Sequence, residues 1–343
     1  MDMGDGMIYI RVDMNEQIAT GHMMRCIAVA DAAKSLGEPV TFLLADSQAA
    51  GLLRERGYGY IILHSKWDNM EAELPALILI LQQKKIRRLL VDSYQVTEKY
   101  LEAIREYAQI YYMDDLDVFH YPVQGIISYE IYSQHSHYAE KYRGCSLYLG
   151  CKYAPLKKEF LDCGEKEIAE KAESLILLSG GMDCCGFLEK MLERLERERY
   201  REINVICGYY NKDYGVLCEK YRQEENVKFY KHVADIDVYM KKADMAISAG
   251  GVTIYELCAC GTPTISYALS DNQLGTVKKF AEDGIIDYAG DARTEPVEDI
   301  IYKYLEIYQD SRELRWERSR KMQQLVDGKG ALRIARILME KER

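Results

Sequence analysis

The stretch Ala246–Gln273, AISAGGVTIYELCACGTPTISYALSDNQ, constrains the fold of this chain more than any other. An apolar run, Ala246-Ile247, ends in Ser248-Ala249-Gly250-Gly251. A helical segment follows to Gly261, and Thr262-Pro263 starts a second apolar run through Tyr267. Strand, glycine turn, helix and strand in that order make a βαβ unit. Small residues before a helix let a ligand approach the free N–H groups at its start, where the helix dipole also favours an anion. Ala249, Gly250, Gly251 and Thr253 therefore read as a diphosphate seat. Glu256, about one turn into the helix, is placed to take the two hydroxyls of a ribose. A tight turn that needs glycine for packing alone is the competing reading.

The same rhythm runs through the chain. In the first half Met7–Val12 reads as a strand, Gly21–Gly37 as a helix with Met24, Ile27, Ala28, Ala30 and Ala33 near helical spacing, and Val40–Leu44 as a second strand. Tyr60–Leu63, Leu89–Val91 and Ile110–Met113 continue as strands, with helical segments Ala72–Gln83 and Glu98–Tyr107 between them. The alternation breaks near Pro155 and restarts with Leu175–Leu178, which ends in Ser179-Gly180-Gly181-Met182-Asp183 before a helix to about Tyr200. Strands at Ile203–Cys207 and Val227–Tyr230 and a short helix at Val238–Lys242 follow. Alternation of this kind predicts an α/β chain of two domains, 1–156 and 157–343, each with a parallel sheet and helices on both faces. Two glycine turns, at Gly180-Gly181 and Gly250-Gly251, then fall in one domain and converge on one ligand. Ser311–Arg343 is charged and helical in pattern, with Leu332, Ala335, Ile337 and Leu338 as an apolar face, and reads as a solvated surface helix whose end packs back on the first domain.

Composition narrows the partners. Forty-five basic against 55 acidic residues give a net charge of −10 with no basic block, which argues against nucleic acid. No run reaches about 18 apolar residues and the N-terminus carries acid where a signal peptide carries base, so a cytoplasmic protein without stable membrane insertion is expected. The ten cysteines then read as reduced thiols, and Cys184-Cys185 and Cys258-x-Cys260 lack the CxxC spacing of zinc sites. His135-x-His137 has no third spaced ligand, so no metal and no cofactor are expected.

The first half carries the candidate chemistry. His22 opens the first helix directly after the loop Met14–Thr20, and the positive helix end disfavours imidazolium, which keeps the ring available as a neutral general base. Cys26, on the same helical face, lies among small apolar residues and reads as a buried hydrophobe rather than a nucleophile. Asp13, Asp92 and Tyr94 end two strands and point to one sheet edge, the edge where ligands of open parallel sheets sit. Asp114-Asp115 ends a third strand and reads as a helix cap or loop turn.

Several of these pieces, in the same order over residues 7 to 285, resemble the PseG family of nucleotide-sugar hydrolases. They are Arg11-Val-Asp13, Thr20-Gly21-His22-Met-Met-Arg25-Cys26, Val91-Asp92-Ser93-Tyr94, Gly150–Phe160, Ser179–Asp183, Ile247–Gly251 with Tyr255-Glu256-Leu257, and Asp271-Asn272-Gln273. The resemblance implies a GT-B fold, two Rossmann-like domains facing a central cleft and related to MurG-type glycosyltransferases. It implies removal of UDP from UDP-2,4-diacetamido-2,4,6-trideoxy-β-L-altropyranose with water as acceptor, on the pathway to pseudaminic acid. By position, His22 is the base, Tyr94 assists it with Asp13, and Gly21 and Arg25 contact substrate. Gly180, Gly181, Glu256 and the turn before it bind UDP, and Asn272 with Gln273 faces the diphosphate or sugar. The sequence departs from the family at Ala19, at Ser93 and Gln95 around Tyr94, and at Ile127-Ser128-Tyr129-Glu130. These changes bear on the identity of the sugar.

Metal-independent hydrolysis at the anomeric carbon is the leading expectation. A glycosyltransferase of the spore-coat polysaccharide type on the same scaffold and a UDP-binding protein without turnover are the alternatives. A nicotinamide dehydrogenase is disfavoured because neither glycine turn has GxGxxG spacing.

Overall fold

A computed structural model describes residues 7–18, 20–133, 137–208, 211–231, 233 and 235–340. The chain divides into two compact units, residues 1–158 with 329–343, and residues 159–328.

The first unit runs β1 (Ile8–Val12), α1 (Gly21–Ser35), β2 (Val40–Leu44), α2 (Ala50–Glu55), β3 (Gly59–Ile62), α3 (Leu74–Gln83), β4 (Arg88–Asp92), α4 (Glu98–Arg105), β5 (Gln109–Met113), β6 (Gly125–Ser128), α5 (Tyr138–Lys141) and β7 (Ser146–Leu149). Its sheet has the order β3-β2-β1-β4-β5-β6-β7, and every pairing is parallel. Strands β1, β4 and β5 are almost wholly buried because helices cover both faces, which is why they read as continuous apolar runs. The chain builds outward from β1 to β3 and returns to β4 beside β1. The carboxyl ends of β1 and β4 thus flank the point where strand order reverses, the usual ligand position in open parallel sheets.

The second unit repeats the plan with β8 (Ser174–Leu178), α6 (Phe187–Arg194), β9 (Glu202–Cys207), α7 (Tyr214–Lys220), β10 (Val227–Lys231), α8 (Ile236–Lys242), β11 (Met245–Ala249), α9 (Thr253–Cys260), β12 (Thr264–Ala268), α10 (Asp271–Glu282), β13 (Asp287–Asp291), α11 (Val297–Asp310) and α12 (Arg312–Leu325). Sheet order is β10-β9-β8-β11-β12-β13, again parallel throughout, with its reversal between β8 and β11. Gly261, at φ +68°, ends α9 in the left-handed conformation that glycine adopts without a Cβ penalty.

Two sequence expectations change here. The segment after 311 is not one solvated helix: α12 belongs to the second unit, and α13 (Gly330–Met339) belongs to the first, where it packs on α1. Helix α1 is buried nearly all round, from Met23 through Ala33, so one face meets the sheet and another needs cover. The buried Ile334, Ala335 and Leu338 of α13 supply it. Strands β6 and β7, unassigned from the sequence, extend the first sheet beyond β5.

Candidate functional site

In the first unit, the site grows from the loop after β1 and the ends of β4, β5 and β6. His22 is the second residue of α1, and Arg25 stands one turn further on the same face. Both reach Asp92, the last residue of β4. His22 Nδ1 lies 2.6 Å from Asp92 Oδ1, and Arg25 donates from Nε and Nη2 to the two Asp92 oxygens at 2.6 Å each. Arg25 Nη2 is also 3.1 Å from His22 Nδ1. Asp92 is a carboxylate that can only accept, so its 2.6 Å approach assigns the Nδ1–H tautomer over the longer contact with Arg25, and leaves Nε2 as the basic nitrogen of the ring. Burial by itself raises the Asp92 carboxyl, but Arg25 and His22 outweigh it and hold the group below the usual carboxylate range.

Arg25 also ties in a second carboxylate. Its Nη1 donates to Asp115 Oδ2 at 2.7 Å and to the Tyr129 hydroxyl at 2.8 Å. Tyr94 donates to the same Asp115 oxygen at 2.7 Å and sets its ring edge-on to His22, with centroids 4.4 Å apart. Burial and the Asp115 carboxylate push the Tyr94 phenol up, so it stays protonated and is no base. Cys26, buried, donates to Asp92 Oδ2 at 3.4 Å, and burial with Asp92 pushes its thiol up, which rules it out as a thiolate nucleophile.

Asp13 lines the same small cavity as His22, Tyr94, Asp92, Trp67 and Ile18. Its oxygens are already engaged, however: Ala45 N donates to Oδ1 at 2.8 Å and Arg11 Nη1 to Oδ2 at 2.5 Å. Arg11 is fully buried and forks onto Glu73 at 2.7 Å through each of two nitrogens, so Asp13 anchors a structural ion network. The cavity measures about 20 Å³, enough for one water. Gly21, the first residue of α1, is exposed.

The Asp114-Asp115 pair divides its labour. Asp114 caps the turn, accepting from Leu116 N at 3.0 Å and Asp117 N at 3.1 Å, and takes the hydroxyls of Tyr121 and Tyr138. Only Asp115 faces Arg25. Asp115, read from the sequence as a cap or turn, and Tyr129, noted there only within a segment that departs from the family, are the residues whose part in the site sequence reasoning did not find; the signal for them was their position just after β5 and β6.

In the second unit the opening stretch forms the expected strand, turn and helix, with details that separate the roles of its residues. Ala249 ends β11 buried. Gly250 N–H goes to Tyr267 O and Gly251 N–H to Ala249 O, both at 2.9 Å. A Cβ on Gly250 would stand 2.3 Å from Val277 Cγ1. Gly250 is thus required for close packing, whereas a Cβ on Gly251 would meet only Gln273 Nε2, at 3.9 Å; the donors left at the start of α9 are Val252 N–H and Thr253 N–H, with no side-chain cap over them. Glu256 lies in the first turn of α9. Gln273 Oε1 accepts from Leu269 N at 2.9 Å, which holds the amide beside the Gly251 turn, and Asn272 is exposed at the start of α10, accepting from Ser270 Oγ at 2.5 Å.

The other glycine turn differs. Gly180, at φ +72°, and Gly181 are exposed, but α6 begins only at Phe187, and Asp183 caps Phe187 N and Leu188 N at 2.9 Å each. The helix-dipole argument therefore applies to α9 and not to α6. Gly208, after β9, was missed: a Cβ there would lie 2.1 Å from Gly180 O, so it lets the two turns touch.

His135 and Ala19 lie outside the described residues; His137 is exposed. Among the described residues there is no cluster of three His, Cys, Asp or Glu side chains suited to a metal, and no helix is long and apolar enough to cross a membrane.

Residues 187–312, all within the second unit, match the family model "Glycosyl transferases group 1". The chain is similar to the spore coat polysaccharide biosynthesis protein SpsG of Bacillus subtilis, with 26% identity over 57% of this chain and 58% of SpsG. It spans a little over half the length, 56% and 58%, of the curated relatives it matches. Among solved structures it resembles MurG of Acinetobacter baumannii, with 14% identity, TM-score 0.70, and 98% and 100% of the two chains covered. It also resembles UGT71G1 of Medicago truncatula complexed with UDP-glucose, with 12% identity, TM-score 0.68, and 99% and 100% covered. With two all-parallel α/β units and these structural neighbours, the fold is that of the GT-B glycosyltransferases.

Proposed function

We propose that the chain hydrolyses a UDP-linked diacetamido-trideoxy sugar at the anomeric carbon, releasing UDP and a free sugar for pseudaminic acid biosynthesis. The observation that carries this reading is the tether from Asp92 to His22 Nδ1, which leaves Nε2 basic on a ring that lines a cavity with room for one water. In the proposed step His22 Nε2 takes a proton from water as the water oxygen bonds to the anomeric carbon. The bond from that carbon to the β-phosphate oxygen breaks, and UDP leaves with the electron pair. Proton transfer of this kind contributes roughly 10² to 10⁴ in rate. The second unit holds the UDP half, with the Val252 and Thr253 N–H groups on the diphosphate, where charge grows as the bond breaks, and Glu256 on the ribose. A solved neighbour bound to UDP-glucose supports a UDP-sugar as ligand.

One observation favours transfer instead. The loop after β5 exposes Leu116 at 44% and Val118 at 69%, next in sequence to Asp115, and apolar side chains there suit an acceptor with an apolar tail. The two readings separate on UDP release from a panel of UDP-linked diacetamido sugars. Hydrolysis gives one free sugar per UDP with no acceptor present, and His22→Ala abolishes it while UDP affinity is retained. Release that depends on acceptor overturns the proposal, as does full activity in His22→Ala. UDP binding with no free sugar formed identifies a binder.

A further inference from the structure

We infer that Asp115 is a positioning residue that fixes the polarity of Tyr94, committing its O–H so that the phenolic oxygen presents only lone pairs to the water or sugar. The inference rests on the proposed UDP-sugar reading only in naming that ligand.

The geometry is one-directional. Asp115 Oδ2 receives two donors, Tyr94 Oη at 2.7 Å and Arg25 Nη1 at 2.7 Å. A carboxylate has no proton to give, so the Tyr94 hydrogen must lie on this bond. Asp115 cannot turn away, because Arg25 is itself locked by its fork onto Asp92. The same guanidinium thereby fixes both groups that flank the cavity: His22 through Asp92, and Tyr94 through Asp115. His22 and Tyr94 rings meet edge to face, so the oriented phenol and the oriented imidazole act on one small space.

A second observation points the same way. Asp115 Oδ1 is buried and has no hydrogen-bond partner, while the side chain as a whole is only 9% exposed. Both donors to the carboxylate thus fall on Oδ2, and Tyr94, which lines the cavity, is left to offer the ligand only an acceptor. The ligand group that meets it must be a donor, such as water, a sugar hydroxyl or an acetamido N–H. A ring oxygen or an acetyl carbonyl facing Tyr94 would find no proton.

Asp115→Asn tests the polarity, since its amide can donate to the phenol and free the Tyr94 proton for the ligand. Asp115→Asn and Tyr94→Phe are each expected to lower kcat by about tenfold, the size of one hydrogen bond, with little change in UDP affinity. If Asp115 acts through Tyr94, the double variant falls within about twofold of Tyr94→Phe. A double variant that loses about a hundredfold, the product of the two, overturns the inference. A readout free of turnover uses the wild-type protein with 13Cζ-labelled tyrosine, the Tyr94 signal being identified by its loss in Tyr94→Phe. The signal should remain that of un-ionised phenol through pH 11, and titration near the ordinary value of about 10 overturns the inference. UDP release from the wild type decides the hydrolase reading separately, so either can fail alone.

Discussion

Replacing Asp92 by Asn strikes the centre of the first unit's site. Asp92 accepts from His22 Nδ1 and from Arg25 Nε and Nη2, all at 2.6 Å, and from Cys26 at 3.4 Å. The amide keeps one acceptor oxygen but turns an NH₂ toward a guanidinium that can only donate. Arg25 is 5% exposed and would keep only Asp115 as an ionic partner. Removing one member of a buried ion pair costs about 3–5 kcal/mol, and the surviving Asp115 contact puts Asp92→Asn near the lower end, about 3 kcal/mol. Against a typical stability of about 5–15 kcal/mol the variant folds but melts early. The pH dependence follows from the sign of the Asp92 shift. Its folded carboxyl is held below the unfolded value of about 3.9, so its stabilisation is fully present above that pH and is lost as pH falls through the folded value. Urea unfolding should therefore show the full wild-type advantage at pH 7 and a shrinking one below about pH 4. With the carboxylate charge that supports a proton-accepting His22 removed, UDP release should fall by roughly 10² or more, while UDP affinity, proposed for the second unit, is retained. A cost under about 1 kcal/mol with turnover within about threefold of wild type would refute the reasoning.

Gly250→Ala should destabilise the second unit by about 1–3 kcal/mol and weaken UDP binding, because the new Cβ would meet Val277 Cγ1 at 2.3 Å and Gln273 Cβ at 3.2 Å; thermal unfolding and calorimetry check both. Lys166 is 7% exposed, donates to the Lys241 and Ala243 carbonyls, and is pushed down to about 8 by burial. Its folded value lies below the unfolded value of about 10.4, so the unfolded chain binds more protons between pH 8 and 10 and stability rises with pH there. The difference in unfolding free energy between wild type and Lys166→Met should therefore grow in favour of wild type by up to about 3 kcal/mol across that window, and a flat difference would sink the assignment.

How far the sequence reveals this site depends on whether a residue's partner is fixed by local or by tertiary geometry. His22, Asp92 and Tyr94 were legible because helix starts and strand ends can be placed from periodicity, and parallel strands bring their carboxyl ends to one edge. Asp115 was not. Neighbouring residues at a strand end face opposite ways, so one of two adjacent carboxylates turns inward to cap a tyrosine-rich loop and the other meets Arg25. Nothing in the pair itself says which is which; that information lies in Arg25, 90 residues away. The glycine turns show the same division. That Gly250-Gly251 precedes a helix is local, and it was read correctly, but whether the glycines donate to a ligand or make room for a neighbour depends on Val277 and Tyr267, which only the folded sheet supplies. Helix α13 extends the point to whole elements. Its apolar face, with Ala335, Ile337 and Leu338 buried, is legible beneath its charge, but the evidence that this face is covered lay in α1, which is buried nearly all round and so demands a second neighbour besides the sheet. A helix that lacks a polar face is thus a sequence-level sign that another element, however distant in the chain, must come back to it.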